Sequence, residues 1–188
     1  MATVVFQNVA HEHIRKAFLN VLHQYDSLND YKLILKQRKV KGTTMQAQPV
    51  INLTKLLGGP DRYKIKLAKY VRDSNSLLVS ELPEDVLCGW FAHELGHVVD
   101  YAPHSTFGMI KYGIKYLVSK SFRKEVEHRA DEIAIEAGFH EEILATKRYV
   151  FSHDLIDDTY KDQMRKYYMS IEDVEMCINK KMPLQPTP

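Results

Sequence analysis

Two rhythms of apolar and polar residues run through the first part of the chain. Between Ala10 and Leu28 the positions Ile14, Phe18, Val21, Leu22 and Tyr25 recur at helical spacing with polar residues between them, which predicts an amphipathic helix laid against a core. The rhythm then changes. Tyr31 to Val40 and Arg62 to Val71 read as strands; in the second, Tyr63, Ile65 and Leu67 alternate with Lys64, Lys66 and Ala68, so one face is buried and the other wet. Gly58-Gly59-Pro60 and Asp73-Ser74-Asn75 supply turns, and Leu77, Leu78 and Val79 predict one more short strand.

Beyond Leu82 the pattern is helical. Pro83 suits a first helical position, and with Glu84 and Asp85 in the first turn it starts a helix reaching about Val99. A loop over Tyr101 to Ser105 leads to helices over Phe107 to Lys120 and Lys124 to Ala137, the latter stopped by Gly138. Ser170 can cap a further helix through Asn179. The expected class is therefore α+β, an N-terminal helix and a small mixed sheet followed by helices. No repeat, low-complexity block or linker interrupts the pattern, so residues 1–182 are expected to form one domain and 183–188 (PLQPTP) an extended, disordered tail.

Composition narrows the partners. Lys and Arg number 26 against 24 Asp and Glu, a mild balance that argues neither for nor against a nucleic-acid groove; no nucleic-acid partner is expected. Two cysteines, Cys88 and Cys177, form neither a disulfide framework nor a metal-ligand pair; with no signal peptide at the start, a cytoplasmic location is expected. Cys88 is expected to be a small buried hydrophobe rather than a nucleophile. The most apolar stretch, Phe107 to Ser119, carries Lys111 and Lys115 and falls short of the roughly 20 residues a membrane span needs. Its helix is expected to lie over the core with its lysines in water, rather than to touch a membrane surface.

Chemistry concentrates in FAHELGHVVDY, Phe91 to Tyr101. His93 and His97 stand at i and i+4, which on a helix turns both imidazoles to one side, where they can share a Zn²⁺ while Glu94 faces a water on the metal. Val86, Leu87, Trp90, Phe91, Leu95, Val98 and Val99 make this helix apolar nearly all round, so it should be buried. Burying His, Glu and His needs a compensating partner.

A catalytic zinc takes three protein ligands and keeps one position open. His104 does not fit the spacing HExxHxxGxxH, because Asp100 and Pro103 stand where Gly and His are required. Glu125 has Arg129 one turn on, which would pair with its charge. Glu127 opens the string EHRAD, where Glu127, Ala130, Asp131 and Ala134 share one helix side. The small Ala130 lets a second helix come close, and Asp131 can accept a hydrogen bond from the ring N–H of a ligating histidine.

HELGH followed about thirty residues later by ExxAD resembles the gluzincin metallopeptidases, and within them the branch of HtpX-like proteases and CAAX-prenyl endopeptidases. The match covers roughly Leu82 to Gly138. The membrane members carry transmembrane helices around the two motifs, so the resemblance is to a small soluble relative. It implies a zincin-like fold, one Zn²⁺ held by His93, His97 and Glu127, Glu94 as general base, Asp131 as the partner of a ligating histidine, and hydrolysis of a peptide or protein substrate by Glu-assisted attack of a zinc-bound water.

Two further expectations concern the substrate. The Leu77 to Glu81 strand just before the motif helix is best placed to bind an extended peptide at a sheet edge, although plain core structure suits it as well. Tyr149, His153, Tyr160, Tyr167 and Tyr168 all follow the glutamate helix, and Ser152-His153 with Arg165 resembles a Ser/Thr-His…Arg segment of the HtpX-like branch; His153 is the candidate oxyanion donor. Similarity of HELGH to the ImmA/IrrE regulatory peptidases gives a second enzymatic alternative with one protein partner. A non-catalytic zinc-binding interaction module is the third alternative, against which Glu94 counts, since a structural zinc has no use for a base.

Overall fold

The computed structural model describes residues 2–40, 42–52, 54, 57–74 and 76–181. The expected tail 183–188 lies outside the described residues. Among these, four strands form one sheet: β1 (Thr3–Gln7), β2 (Lys32–Gln37), β3 (Met45–Pro49) and β4 (Arg62–Leu67). Helix α1 (Glu12–Leu22) connects β1 to β2, and six helices follow the sheet: α2 (Glu84–Tyr101), α3 (Thr106–Val118), α4 (Lys120–Glu136), α5 (His140–Ser152), α6 (Asp158–Tyr167) and α7 (Ile171–Lys181). The architecture is α+β, with strand order β1-β2-β4-β3; β1, β2 and β4 are parallel and β3 runs antiparallel to β4.

Both strands expected at Tyr31 to Val40 and Arg62 to Val71 are present, each shorter than expected. Leu33 and Leu35 of β2 and Tyr63, Ile65 and Leu67 of β4 are buried on the core face. Strands β1 and β3 escaped the sequence reading. β3 is MQAQP, with only Met45 and Ala47 turned inward, and its proline suits an edge where no ladder bond is lost. Backbone bonds from Ala68 N–H to Thr44 O and from Val50 N–H to Arg62 O flank the pair. Alternation therefore turns the backbone groups of Met45, Ala47 and Pro49 toward the free edge.

The third expected strand does not form. Leu78 makes a single bridge to Tyr70, and Val79–Glu81 is a turn of 3-10 helix. Positive φ at Asp73 and Ser76 folds the chain sharply back, and Leu82-Pro83 begins α2 at once, which leaves no length for a ladder. Leu77, Val79 and Leu82 are instead core residues.

Helix α1 is shorter than its apolar period suggested, ending at Leu22 before a 3-10 turn over Asp26–Leu28. It buries Ile14, Ala17, Phe18, Val21 and Leu22 between sheet and α2, with Phe18 edge-on to Phe91 at 5.2 Å. Pro83 is the N-cap of α2 rather than its first residue. α3 and α4 are separated by Ser119 alone, whose hydroxyl accepts the Phe122 N–H; α4 thus starts four residues before the expected Lys124. Gly138, at φ +94°, ends α4 as expected, with Phe139 N–H returning to Ala134 O and Gly138 N–H to Ile135 O. Ser170 and Asp173 cap α7 reciprocally, each side chain accepting the other's backbone N–H.

Candidate metal centre

Helix α2 is the axis of the molecule. Every residue from Gly89 to Val98 is buried, so its polar members His93, Glu94 and His97 are enclosed with it. Two glycines let neighbours reach its backbone. A Cβ on Gly96 would lie 2.5 Å from the carbonyl oxygen of Ala130 on α4, and one on Gly89 would lie 2.2 Å from that of Glu142 on α5. Contacts this short exclude any side chain without movement of a helix. The pairing of Gly96 with Ala130 brings the two motifs together.

On the facing sides, His93 Nε2 lies 3.1 Å and His97 Nε2 3.3 Å from Glu127 Oε2. Ligand atoms of all three residues fall within 4.8 Å of one another, and all three residues are buried. Four-coordinate sites with bonds of 2.0–2.1 Å separate their ligand atoms by roughly 3.3 Å. His93 Nδ1 is 2.8 Å from Asp131 Oδ1. With the Nδ1 proton given to Asp131, a neutral His93 presents its lone pair at Nε2 to a carboxylate, and two electron-rich atoms at this distance call for a cation between them. The donor set therefore fits a metal ion, and among the described residues no other such group exists.

Electrostatics favour the same arrangement. Burial by itself would lower the pKa of His93, but hydrogen bonds to Asp131 and Glu127 reverse this and raise it to about 10, so without a cation the ring binds a proton instead. Burial opposes ionisation of Glu127, yet His97 and His93 hold its carboxyl well below the usual range. Asp131, also opposed by burial, is lowered to about 2 by Lys147 and His93. Lys147 on α5 is itself buried, with Nζ 2.7 Å from Asp131 Oδ2.

Glu94 points to the other side of the pair. Burial raises its pKa above the ordinary value, and its Oε2 accepts the N–H of Ala47 on the free edge of β3. Beside it opens a cavity of about 680 Å³, lined by Glu94, His97, Glu127, residues of β3, the α3 residues Ile110, Ile114 and Leu117, and Tyr160 and Tyr168. Burial raises Tyr160 to about 12 and Tyr168 well above the phenol range, so both hydroxyls keep their protons. Tyr168 leans on the His93 ring at 5.4 Å and Tyr101 stacks on His97 at 5.8 Å.

The structure thus brings together His93, Glu94, His97, Glu127 and Asp131. It does not bring His153 to them. That residue caps the C-terminus of α5, accepts the Leu155 N–H at Nδ1 and is absent from the cavity lining; the tyrosines that followed it in sequence, Tyr160 and Tyr168, are there instead. The edge beside Glu94 belongs to β3, not to Leu77–Glu81. Glu125 pairs with Arg129 at 2.6 Å, as the one-turn spacing implied. Arg129 also holds Asp100 at 2.8 Å, and Tyr112 donates to the same carboxylate, so Asp100 anchors the end of α2 to α3 and α4. Sequence reasoning missed Lys147 and Tyr116, whose hydroxyl donates to Glu127 Oε1. A helix-face projection of 140–152 placing Lys147 beside buried Ile143, Leu144 and Val150 was the available signal for the lysine.

Comparison with protein-family models, curated proteins and solved structures finds no match to this chain. No helix among the described residues is long and apolar enough to cross a membrane.

Proposed function

We propose that this protein is a zinc-dependent metalloendopeptidase with a zincin-like fold, related to the gluzincins. One observation carries the reading: a buried carboxylate of raised proton affinity, Glu94, stands beside a His–His–Glu ligand set and faces a cavity along a free strand edge. A purely structural metal site needs no such base.

His93, His97 and Glu127 would hold the ion, Asp131 keeping the His93 ring in the tautomer that offers Nε2. When bound, zinc supplies a Lewis acid that acidifies water and polarises a carbonyl. Glu94 accepts the proton of the attacking water and delivers it to the departing amine; the Ala47 N–H steadies its Oε2 during the exchange. An extended peptide aligns along β3, where Ala47 and Pro49 offer carbonyl oxygens at the free edge. Tyr160 and Tyr168, protonated at neutral pH, donate toward the scissile carbonyl oxygen.

Metal analysis and peptide hydrolysis test this together. Wild type should carry near-stoichiometric zinc and cleave members of an extended peptide library. Glu94→Gln should keep the metal and lose at least about a hundredfold in turnover, whereas Glu127→Ala should lose the metal. Full turnover by Glu94→Gln, or zinc retained unchanged by Glu127→Ala, would sink the assignment. Zinc bound as expected with no cleavage of any peptide would leave a non-catalytic site.

A further inference from the structure

The inner side of α3 is formed by Met109, Tyr112 and Tyr116, which face the protein. Its outer side is apolar too. Phe107, Ile110, Ile114, Leu117 and Val118 fall within an arc of about 100° on the helix, and Leu117 and Val118 are 83% and 77% exposed. The helix lies over the core as expected, through its Met109-Tyr112-Tyr116 face, but its apolar outer side is in water along with the lysines. Leu57, 95% exposed, adjoins this region: the next residue, Gly58, accepts both the N–H and the hydroxyl of Thr106 at the start of α3.

Along α3 and into the first turns of α4 the sequence carries one sign of charge. Ser105 to Lys124 contains Lys111, Lys115, Lys120, Arg123 and Lys124 and no Asp or Glu, in a chain whose formal net charge is only +2. Lys111 follows directly beside the apolar arc, its Nζ 4.5 Å from the Phe107 ring centroid, while Lys115, one turn on, holds its Nζ 4.0 Å over the Phe122 ring of α4. An exposed apolar face bordered by cations is the design of a helix lying in a lipid headgroup region, with side chains in the acyl boundary and amines at the phosphates.

We propose that α3 docks this protein on an anionic phospholipid surface. Charge complementarity selects that occupant: a second copy of the chain would bring the same lysines into one interface, where they repel. Ile110, Ile114 and Leu117 belong both to the stripe and to the cavity beside Glu94, so the mouth of the cavity opens at the docked face. Docking does not depend on the peptidase reading, and either can fail alone.

Vesicle flotation of the full chain tests it, using phosphatidylcholine alone and phosphatidylcholine mixed with phosphatidylglycerol. The protein should float with the anionic vesicles, less so at high salt, and not with phosphatidylcholine. Leu117→Asp with Val118→Asp should weaken binding roughly a hundredfold, and Lys111→Glu with Lys115→Glu at least about tenfold. As a readout on a folded chain, Leu117→Trp emission should shift to the blue on anionic vesicles while Met176→Trp, at another exposed position on α7, should not. Absence of flotation with anionic vesicles overturns the proposal. So does binding that neither pair of substitutions weakens, or an α3-dependent dimer in sedimentation velocity that ignores vesicles.

Discussion

At the scale of residues, the site depends on a chain of buried charges rather than on its ligands alone. Lys147 neutralises Asp131, and Asp131 orients His93. Removing the lysine leaves a carboxylate unpaired in the interior, so Lys147→Met should destabilise the protein by about 3–5 kcal/mol, measured by urea unfolding. Adding Asp131→Asn should recover much of that stability while zinc affinity falls about 10–100-fold, because the His93 ring loses its acceptor. A Lys147→Met protein as stable as wild type would show the pair to be inert. Cys88 makes the contrasting case. Burial, helped by Glu84 and Glu142, raises its thiol to about 11. Since the thiolate is the reacting form, alkylation by iodoacetamide at pH 8 should be about a hundredfold slower than at an ordinary thiol, and should rise with pH until about 11. Rapid alkylation at pH 8 would contradict the environment described.

At the scale of elements, two glycines on α2 divide the labour. Gly96→Ala drives a methyl group against the Ala130 carbonyl and pushes α4, with Glu127, away from the histidines; Gly89→Ala does the same to α5. Each should cost about 1–3 kcal/mol or more in unfolding measurements. They should differ in function: Gly96→Ala should lose zinc affinity as well as stability, while Gly89→Ala loses mainly stability. Equal loss of zinc in both would mean that the α2–α4 approach is not what sets the ligand spacing. The helix patterns that led to this site were local, since HELGH and EHRAD each announce one face by i, i+3, i+4 spacing. Their meeting through a glycine and an alanine depends on packing between residues more than thirty positions apart, and only Ala130 hinted at it.

At the scale of the whole molecule, a bound ion would join α2 to α4 and so couple metal to folding. An ion that binds the folded chain alone stabilises it by about 2.7 kcal/mol at a hundredfold excess over Kd. For a chain of this length that corresponds to a rise in melting temperature of roughly 5–10 °C. Scanning calorimetry with zinc and then with a chelator should show that difference and reverse it; an unchanged transition would mean the group does not hold metal. His/His/carboxylate sets accept several divalent ions, so the same scan with cobalt and manganese ranks the candidates.

By itself the sequence determined whatever depends on the period of a single segment: the buried faces of β4 and α1, the burial of α2, the stop at Gly138, the cap at Ser170, and the sides of α2 and α4 that carry His93, His97, Glu127 and Asp131. Only the tertiary structure decided the rest. β3 has one weak inward pair and a proline, so its place beside Glu94 comes from pairing with β4 across a loop rather than from its own residues. Lys147 and Tyr116 join the site from helices whose local pattern says nothing about Asp131 or Glu127. His153 lies outside the cavity lining for the same reason, because order along the chain does not specify which of several aromatic or imidazole groups a helix end will aim into a cavity. The face of α3 left in water was likewise undecidable locally: a helix apolar on two sides can bury either, and the packing of Tyr112 against Tyr101 and Phe122 made the choice.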